Sequence, residues 1–134
     1  SKSMQNVILL DTMDLQAPKG YPGSQIEWER QAYLYEYLEK HQKAIPFHAG
    51  EIWETVITAL KFGEGDFTKT LQFVINYGRD NDTAGAVAGM ILGARSGFSG
   101  LPKDLREKSI QVNRDLMGID LEALAKEIVG KTEQ

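Results

Sequence analysis

The sequence contains no cysteine, so disulfide staples, thiolate metal sites and a cysteine nucleophile are all excluded. That absence suits a reducing setting, and the cytoplasm is the expected location. There is no excess of basic residues either. With 15 Lys and Arg against 19 Asp and Glu, the formal net charge is −4, which argues against a nucleic-acid or membrane-surface partner. No stretch is apolar for long enough to cross a bilayer. The longest apolar run, from Ala84 to Ala94, is too short and stops at Arg95, and the N-terminus from Ser1 to Met4 has no apolar signal core. Also absent are a Ser-His-Asp order, a G-x-S-x-G elbow, a Walker loop and a dinucleotide-binding fingerprint, and the reaction classes that depend on them drop out.

What is present is the composition of one ordinary globular unit: 134 residues, 42% hydrophobic and 25% charged. We expect a single all-α domain or domain fragment across residues 1 to 134. The chain starts at Ser1 and its first methionine is Met4, which fits a processed or extended N-terminus on a piece of a longer protein. Residues 1 to 26 read as an extended or looped lead-in. Val7 to Leu10 form a short apolar strand-like piece, and Pro18, Gly20, Pro22 and Gly23 break regular structure.

Residues 27 to 130 read as helical. Trp28, Ala32, Leu34, Tyr35 and Leu38 recur at helical spacing, and the segment from His41 to Pro46 closes this first helix. A second spans about Ala49 to Phe62, with Ile52, Trp53, Val56, Ile57 and Leu60 on one side and Gly63-Glu64-Gly65 as its stop. Asp66 caps a third, from Phe67 to about Tyr77, and Gly78 ends it. The fourth, about 83 to 96, carries glycines at 85, 89 and 93, with another following at 97. Each interior glycine costs a helix roughly 1 kcal/mol relative to alanine, so the ladder needs a packing reason. A neighbouring helix pressing its backbone into the groove would supply one. Residues 103 to 116 read as a charged surface helix and Asp120 to Val129 as a short last one.

The densest chemistry lies at the entry to the fourth helix, in Asp80-Asn81-Asp82-Thr83. Two carboxylates and a hydroxyl this close suit a hard divalent cation such as Mg²⁺ or Mn²⁺. Asp82 also reads as a helix N-cap, and the two roles are compatible. An EF-hand is excluded, since its fifth and twelfth positions would fall on Ala84 and Ile91. Arg79, next to Asp80, would either pair with these carboxylates or meet a phosphate. His48 and Glu51 share a face but reverse the Glu-x-x-His order of di-metal bundles. His41 suits free carbonyls at a helix end, and Trp28, Tyr33, Tyr35, Tyr37 and Trp53 suit core or groove-edge positions.

The run Asn76-Tyr77-Gly78-Arg79-Asp80-Asn81-Asp82-Thr83-Ala84-Gly85-Ala86-Val87-Ala88-Gly89, with Gly93-Ala94, Gly97 and Gly100-Leu101-Pro102, resembles the C-terminal signature of the ADP-ribosylglycohydrolase family. The likeness covers roughly residues 46 to 112. It implies a helical bundle resembling the C-terminal half of that domain, holding two divalent ions, usually Mg²⁺ or Mn²⁺. The implied activity is hydrolysis of the glycosidic bond joining ADP-ribose to an acceptor. Asp80, Asp82 and Thr83 would then be metal ligands, with Gly78, Arg79 and Asn81 as local substrate contacts.

Where the family often has Gly-Gly-Asp-Thr-Asp-Thr, this chain has Gly78-Arg79-Asp80-Asn81-Asp82-Thr83, which keeps both aspartates and the last threonine. The family's N-terminal half adds a Thr-Asp-Asp type cluster and a further acidic residue. Asp11-Thr12-Met13-Asp14 is too sparse to replace it. The resemblance therefore implies half of a metal site, inactive alone, completed by self-association or by a missing N-terminal half. A non-catalytic helical binding or assembly module is the alternative. Glu51 and Glu64 are the available carboxylates for acid–base work, and neither stands out from a solvated helix residue.

Overall fold

The computed structural model describes residues 15–45 and 47–132. The expected extended piece at Val7 to Leu10, and the acidic residues Asp11 and Asp14, lie outside them. The described residues form six helices and no strand, so the expected all-α class is found: α1 (Gln25–Lys40), α2 (Ala49–Gly63), α3 (Phe67–Tyr77), α4 (Asn81–Gly100), α5 (Lys103–Met117) and α6 (Leu121–Thr132). None of these helices is long and apolar enough to cross a membrane.

The chain enters α1 through a capping box, in which the Ser24 hydroxyl accepts from the Glu27 amide while the Glu27 carboxylate accepts from the Ser24 amide. The same carboxylate pairs with Lys69 on α3. These hydrogen bonds, Lys69's foremost, hold Glu27 down to about 2. At the other end His41 Nδ1 lies 2.7 Å from the Tyr37 carbonyl, as its place at a helix end predicts. The third helix has its expected bounds, and the Asp66 carboxylate accepts from the Lys69 amide at 2.6 Å.

The core forms where α2, α3 and α4 meet and α1 closes over them. Val56, Ala59, Phe62, Phe73, Val74, Ala84, Ala88 and Leu38 are buried together, with Tyr35 and Tyr77 packed against them. Ring centroids of Phe73 lie 4.9 Å from Phe62 and 4.7 Å from Tyr35. The Tyr35 hydroxyl donates to the Phe73 carbonyl at 2.8 Å and accepts from Gln31, whose own Oε1 accepts from Tyr21. This chain of bonds satisfies Gln31 and Tyr35, whereas the indole N–H of Trp28, also on α1, is buried without a partner among the described residues. Burial pushes the Tyr35 phenol far above its ordinary value.

Two sequence expectations about packing are corrected. On α2 the buried side is Glu51, Thr55, Val56, Ala59 and Phe62; Ile52 and Leu60 are half-buried, whereas Trp53 and Ile57 are exposed. Trp53 and Ile57, four apart, share one stripe of α2 that lies outside its buried side. On α4 the residues that press into the core are Ala84, Ala88 and Leu92. A methyl group placed on Gly85, Gly89 or Gly93 would meet nothing within 4 Å, so no helix among the described residues occupies the glycine groove. The close glycine contact is elsewhere. A Cβ on Gly63 would fall 2.0 Å from Thr70 Oγ1, where α2 ends against α3.

Beyond a break at Gly97, α5 and α6 pack on one another and bury no residue. Asp120 caps α6 by accepting from the Glu122 and Ala123 amides, and Arg114 bridges to both Asp120 and Glu122. Arg106 ties this pair of helices to the end of α4, donating to the Phe98 carbonyl with its guanidinium 4.5 Å from the ring centre.

Candidate functional site

The oxygen cluster stands in the three-residue turn between α3 and α4 and in the first turn of α4. Gly78 leaves α3 at φ 83°, ψ −134°, a conformation that essentially only glycine adopts. Arg79 follows at φ 54°, the left-handed region that a side chain normally avoids. Together they reverse the chain within two residues. Asp80 then precedes α4, and its carbonyl accepts the first α4 bond, from the Ala84 amide at 3.1 Å.

The N-cap position therefore belongs to Asp80, which corrects the assignment of that place to Asp82. Its side chain does not cap backbone amides. Instead Asp80 Oδ1 accepts the Thr83 hydroxyl at 2.9 Å. The neighbouring Asp80 side chain, then the amides of Thr83 and Asp82, hold the Asp82 carboxyl below its ordinary range. Asp82 and Thr83 are exposed and Asp80 is half-buried. The structure thus joins the side chains of Asp80 and Thr83 and sets Asp82 beside them in the first turn of α4.

The flanking residues point elsewhere. Asn81 Nδ2 donates to the Ile75 carbonyl at 3.3 Å, back across the end of α3. Arg79 does pair with a carboxylate, but with Glu51 and not with Asp80 or Asp82. Its Nε donates to Glu51 Oε1 at 2.8 Å and its Nη2 to Oε2 at 3.2 Å, while Nη2 also reaches the Lys43 carbonyl at 2.9 Å. Glu51 Oε2 accepts the Lys43 amide at 2.7 Å as well. With a side chain only 6% exposed, Glu51 is the buried acid among the described residues, and Arg79's hydrogen bonds, opposed by burial, hold it ionised below its ordinary value. Nothing near Glu51 in sequence announces this pairing, since its partner lies 28 positions on.

His48 and Glu51 do not converge on a common point. His48 Nδ1 accepts from the Gly50 amide at the start of α2, and Glu51 is committed to Arg79 and Lys43. Glu64 is exposed and pairs with Arg30 at 3.3 Å. Among the described residues no three carboxylates or imidazoles gather as a metal-binding group. The donors of Asp80, Asp82 and Thr83 fit a hard cation in kind, being all oxygen, but would fill only part of the six or more positions such an ion takes.

Comparison with protein families matches residues 9–134 to ADP-ribosylglycohydrolase, a longer stretch than the 46 to 112 expected from the signature alone. No curated protein and no solved structure matches the chain. With nearly the whole chain matched, an all-helical core, and both aspartates and the threonine of the signature grouped at the start of α4, the chain belongs to the ADP-ribosylglycohydrolase family.

Proposed function

We propose that this chain is the C-terminal portion of a divalent-metal-dependent hydrolase that cleaves the glycosidic bond of ADP-ribose adducts, and that it supplies one side of the metal site. The observation that carries the reading is the cluster of Asp80, Asp82 and Thr83 oxygens, joined by the Thr83–Asp80 bond, within the family match. These residues would hold Mg²⁺ or Mn²⁺, two ions in a complete site. A cation bound there would supply electrostatic stabilisation of charge on the substrate. Gly78, Arg79 and Asn81 flank the cluster and are the proposed substrate contacts, although in this structure Arg79 is paired with Glu51 and Asn81 with the Ile75 carbonyl. Two carboxylates and one hydroxyl leave the coordination incomplete, so the chain on its own is inactive, and self-association or an N-terminal half completes it in the cytoplasm.

One observation favours a second reading, a non-catalytic binding or assembly module. Among the described residues nothing covers the glycine face of α4, and Met90 on the same helix is 66% exposed, which is the form a docking face takes.

Titration with Mn²⁺, with and without ADP-ribose, tests the site on this chain and on Asp80→Ala/Asp82→Ala. The expected result is saturable Mn²⁺ binding that strengthens with ADP-ribose and falls at least ten-fold in the double variant. Equal binding by both proteins would refute the ligand assignment. Cation binding without any effect of ADP-ribose would favour the assembly module.

A further inference from the structure

Arg79 occupies a left-handed backbone conformation one residue before Asp80, and its side chain turns away from the oxygen cluster to a buried acid on another helix. A non-glycine residue held in that conformation costs of order 1 kcal/mol and persists only where the surroundings over-determine it. Here they do. Both oxygens of Glu51 are engaged by the guanidinium fork, a geometry that fixes direction as well as distance. Glu51 in turn is fixed by the Lys43 amide, and Arg79 closes the ring on the Lys43 carbonyl. Three segments thereby meet at one ion pair: the α1–α2 loop at Lys43, the first turn of α2 at Glu51, and the turn carrying Asp80.

The consequence falls on Asp80, whose backbone φ of −85° and ψ of 61° differ from both helix and strand. The turn at Arg79 places the Asp80 backbone, and the Thr83 hydroxyl then holds its carboxylate. The Arg79–Glu51 pair is the polar tie between this turn and α2 among the described residues.

We propose that the Glu51–Arg79–Lys43 clamp is a positioning device for the Asp80, Asp82 and Thr83 cluster, so that Arg79 acts on the site through Glu51 and not chiefly by touching phosphate. This rests on reading the cluster as a cation site. The clamp fixes the Gly78-Arg79 reversal, the reversal aims Asp80, and Asp80 sets the Thr83 hydroxyl. Partners that orient ligands in this indirect way alter metal affinity by about 10- to 100-fold when removed.

The test compares four proteins: the unaltered chain, Asp80→Asn/Asp82→Asn, Glu51→Gln/Arg79→Gly, and Arg79→Lys. Glycine accepts the left-handed conformation without strain, and glutamine can still accept the Lys43 amide, so Glu51→Gln/Arg79→Gly removes the clamp without leaving a buried unpaired charge. Mn²⁺ affinity is read from the free-ion electron paramagnetic resonance signal. Amide hydrogen exchange is read at Ala84, whose N–H bonds the Asp80 carbonyl, and at the buried Phe73 and Val74 of α3.

The expected result for Glu51→Gln/Arg79→Gly is Mn²⁺ affinity lower by about ten-fold or more and faster exchange at Ala84, with Phe73 and Val74 as protected as before. Arg79→Lys, which keeps the charge but not the fork, should fall between. Unchanged affinity in both clamp variants, with affinity lost in Asp80→Asn/Asp82→Asn, overturns the clamp and leaves the cation site standing. Full affinity in Asp80→Asn/Asp82→Asn, or none in the unaltered chain, removes the site reading and the positioning role with it. Should Phe73 and Val74 lose protection in Glu51→Gln/Arg79→Gly, Arg79→Lys decides alone, and unchanged affinity there overturns the proposal.

Discussion

The two faces of α4 are built from residues of almost the same size and have opposite surroundings. Ala84 and Ala88 are buried at 2% and 0% exposure against α2 and α3, whereas Gly85 and Gly89, one position on in each case, look into open space. A single methyl group per turn separates them. On the alanine face that methyl is packed. On the glycine face its absence lowers helix stability, and no close approach by another of the described helices compensates. The contrast teaches that regular spacing of small residues marks a helix able to approach another closely, but does not say which side of the helix is approached.

Three substitutions sharpen or break that contrast. The largest effect is expected at the closed glycine of the α2–α3 junction. Gly63→Ala drives a Cβ into Thr70, which is fully buried and holds the Asp66 carbonyl at 2.7 Å, and should destabilise by about 3 kcal/mol. Chemical denaturation gives this directly, and a negligible loss would mean that the junction can part to admit a methyl group. Ala88→Leu, on the packed face of α4, should cost about 2 kcal/mol by overfilling the core, seen as a lower denaturation midpoint. The smallest change should have the opposite sign. Gly89→Ala replaces a poor helix former at an open position and should stabilise the chain by about 0.5–1 kcal/mol. If it destabilises instead, the glycine face is covered in solution by something that a methyl group displaces.

The same contrast runs between the middle of the chain and its C-terminal end. In α2 and α3 the apolar residues are spaced to fill one core, and Phe62, Phe73 and Val74 are at most 2% exposed. In α5 and α6, Leu116 is 80% exposed and no residue is buried, in keeping with the charged surface helix read from residues 103 to 116. Helical periodicity is present in both regions. Only in the first do three helices meet so that each covers the others' apolar stripes.

The oxygen cluster was legible in the sequence because its residues lie within four positions, and a turn entering a helix brings positions 80 and 83 within reach of each other. Two helix ends were legible for the same reason, since Asp66 and His41 act on atoms within four positions, but the N-cap of α4 was read at Asp82 and lies at Asp80. Arg79 was not. Its charge suggested the adjacent aspartates, but the left-handed turn at 79 swings the side chain toward α2, and no local rule links position 79 to position 51. Trp53 and Ile57 failed for a related reason, since the pattern gives the apolar arc of a helix but not the part of it that neighbours reach.

By itself the sequence determined the all-helical class, the bounds of α3, the stops at Gly63-Glu64-Gly65 and Gly78, and the family signature with its two aspartates and threonine, all of which depend on interactions within a few residues. Tertiary structure alone decided which face of α4 is packed, that Glu51 is buried, and that Arg79 belongs to it. Those outcomes depend on how helices distant in sequence come together. Burial of apolar surface drives that assembly without direction, and the ion pair and close packing then select one arrangement.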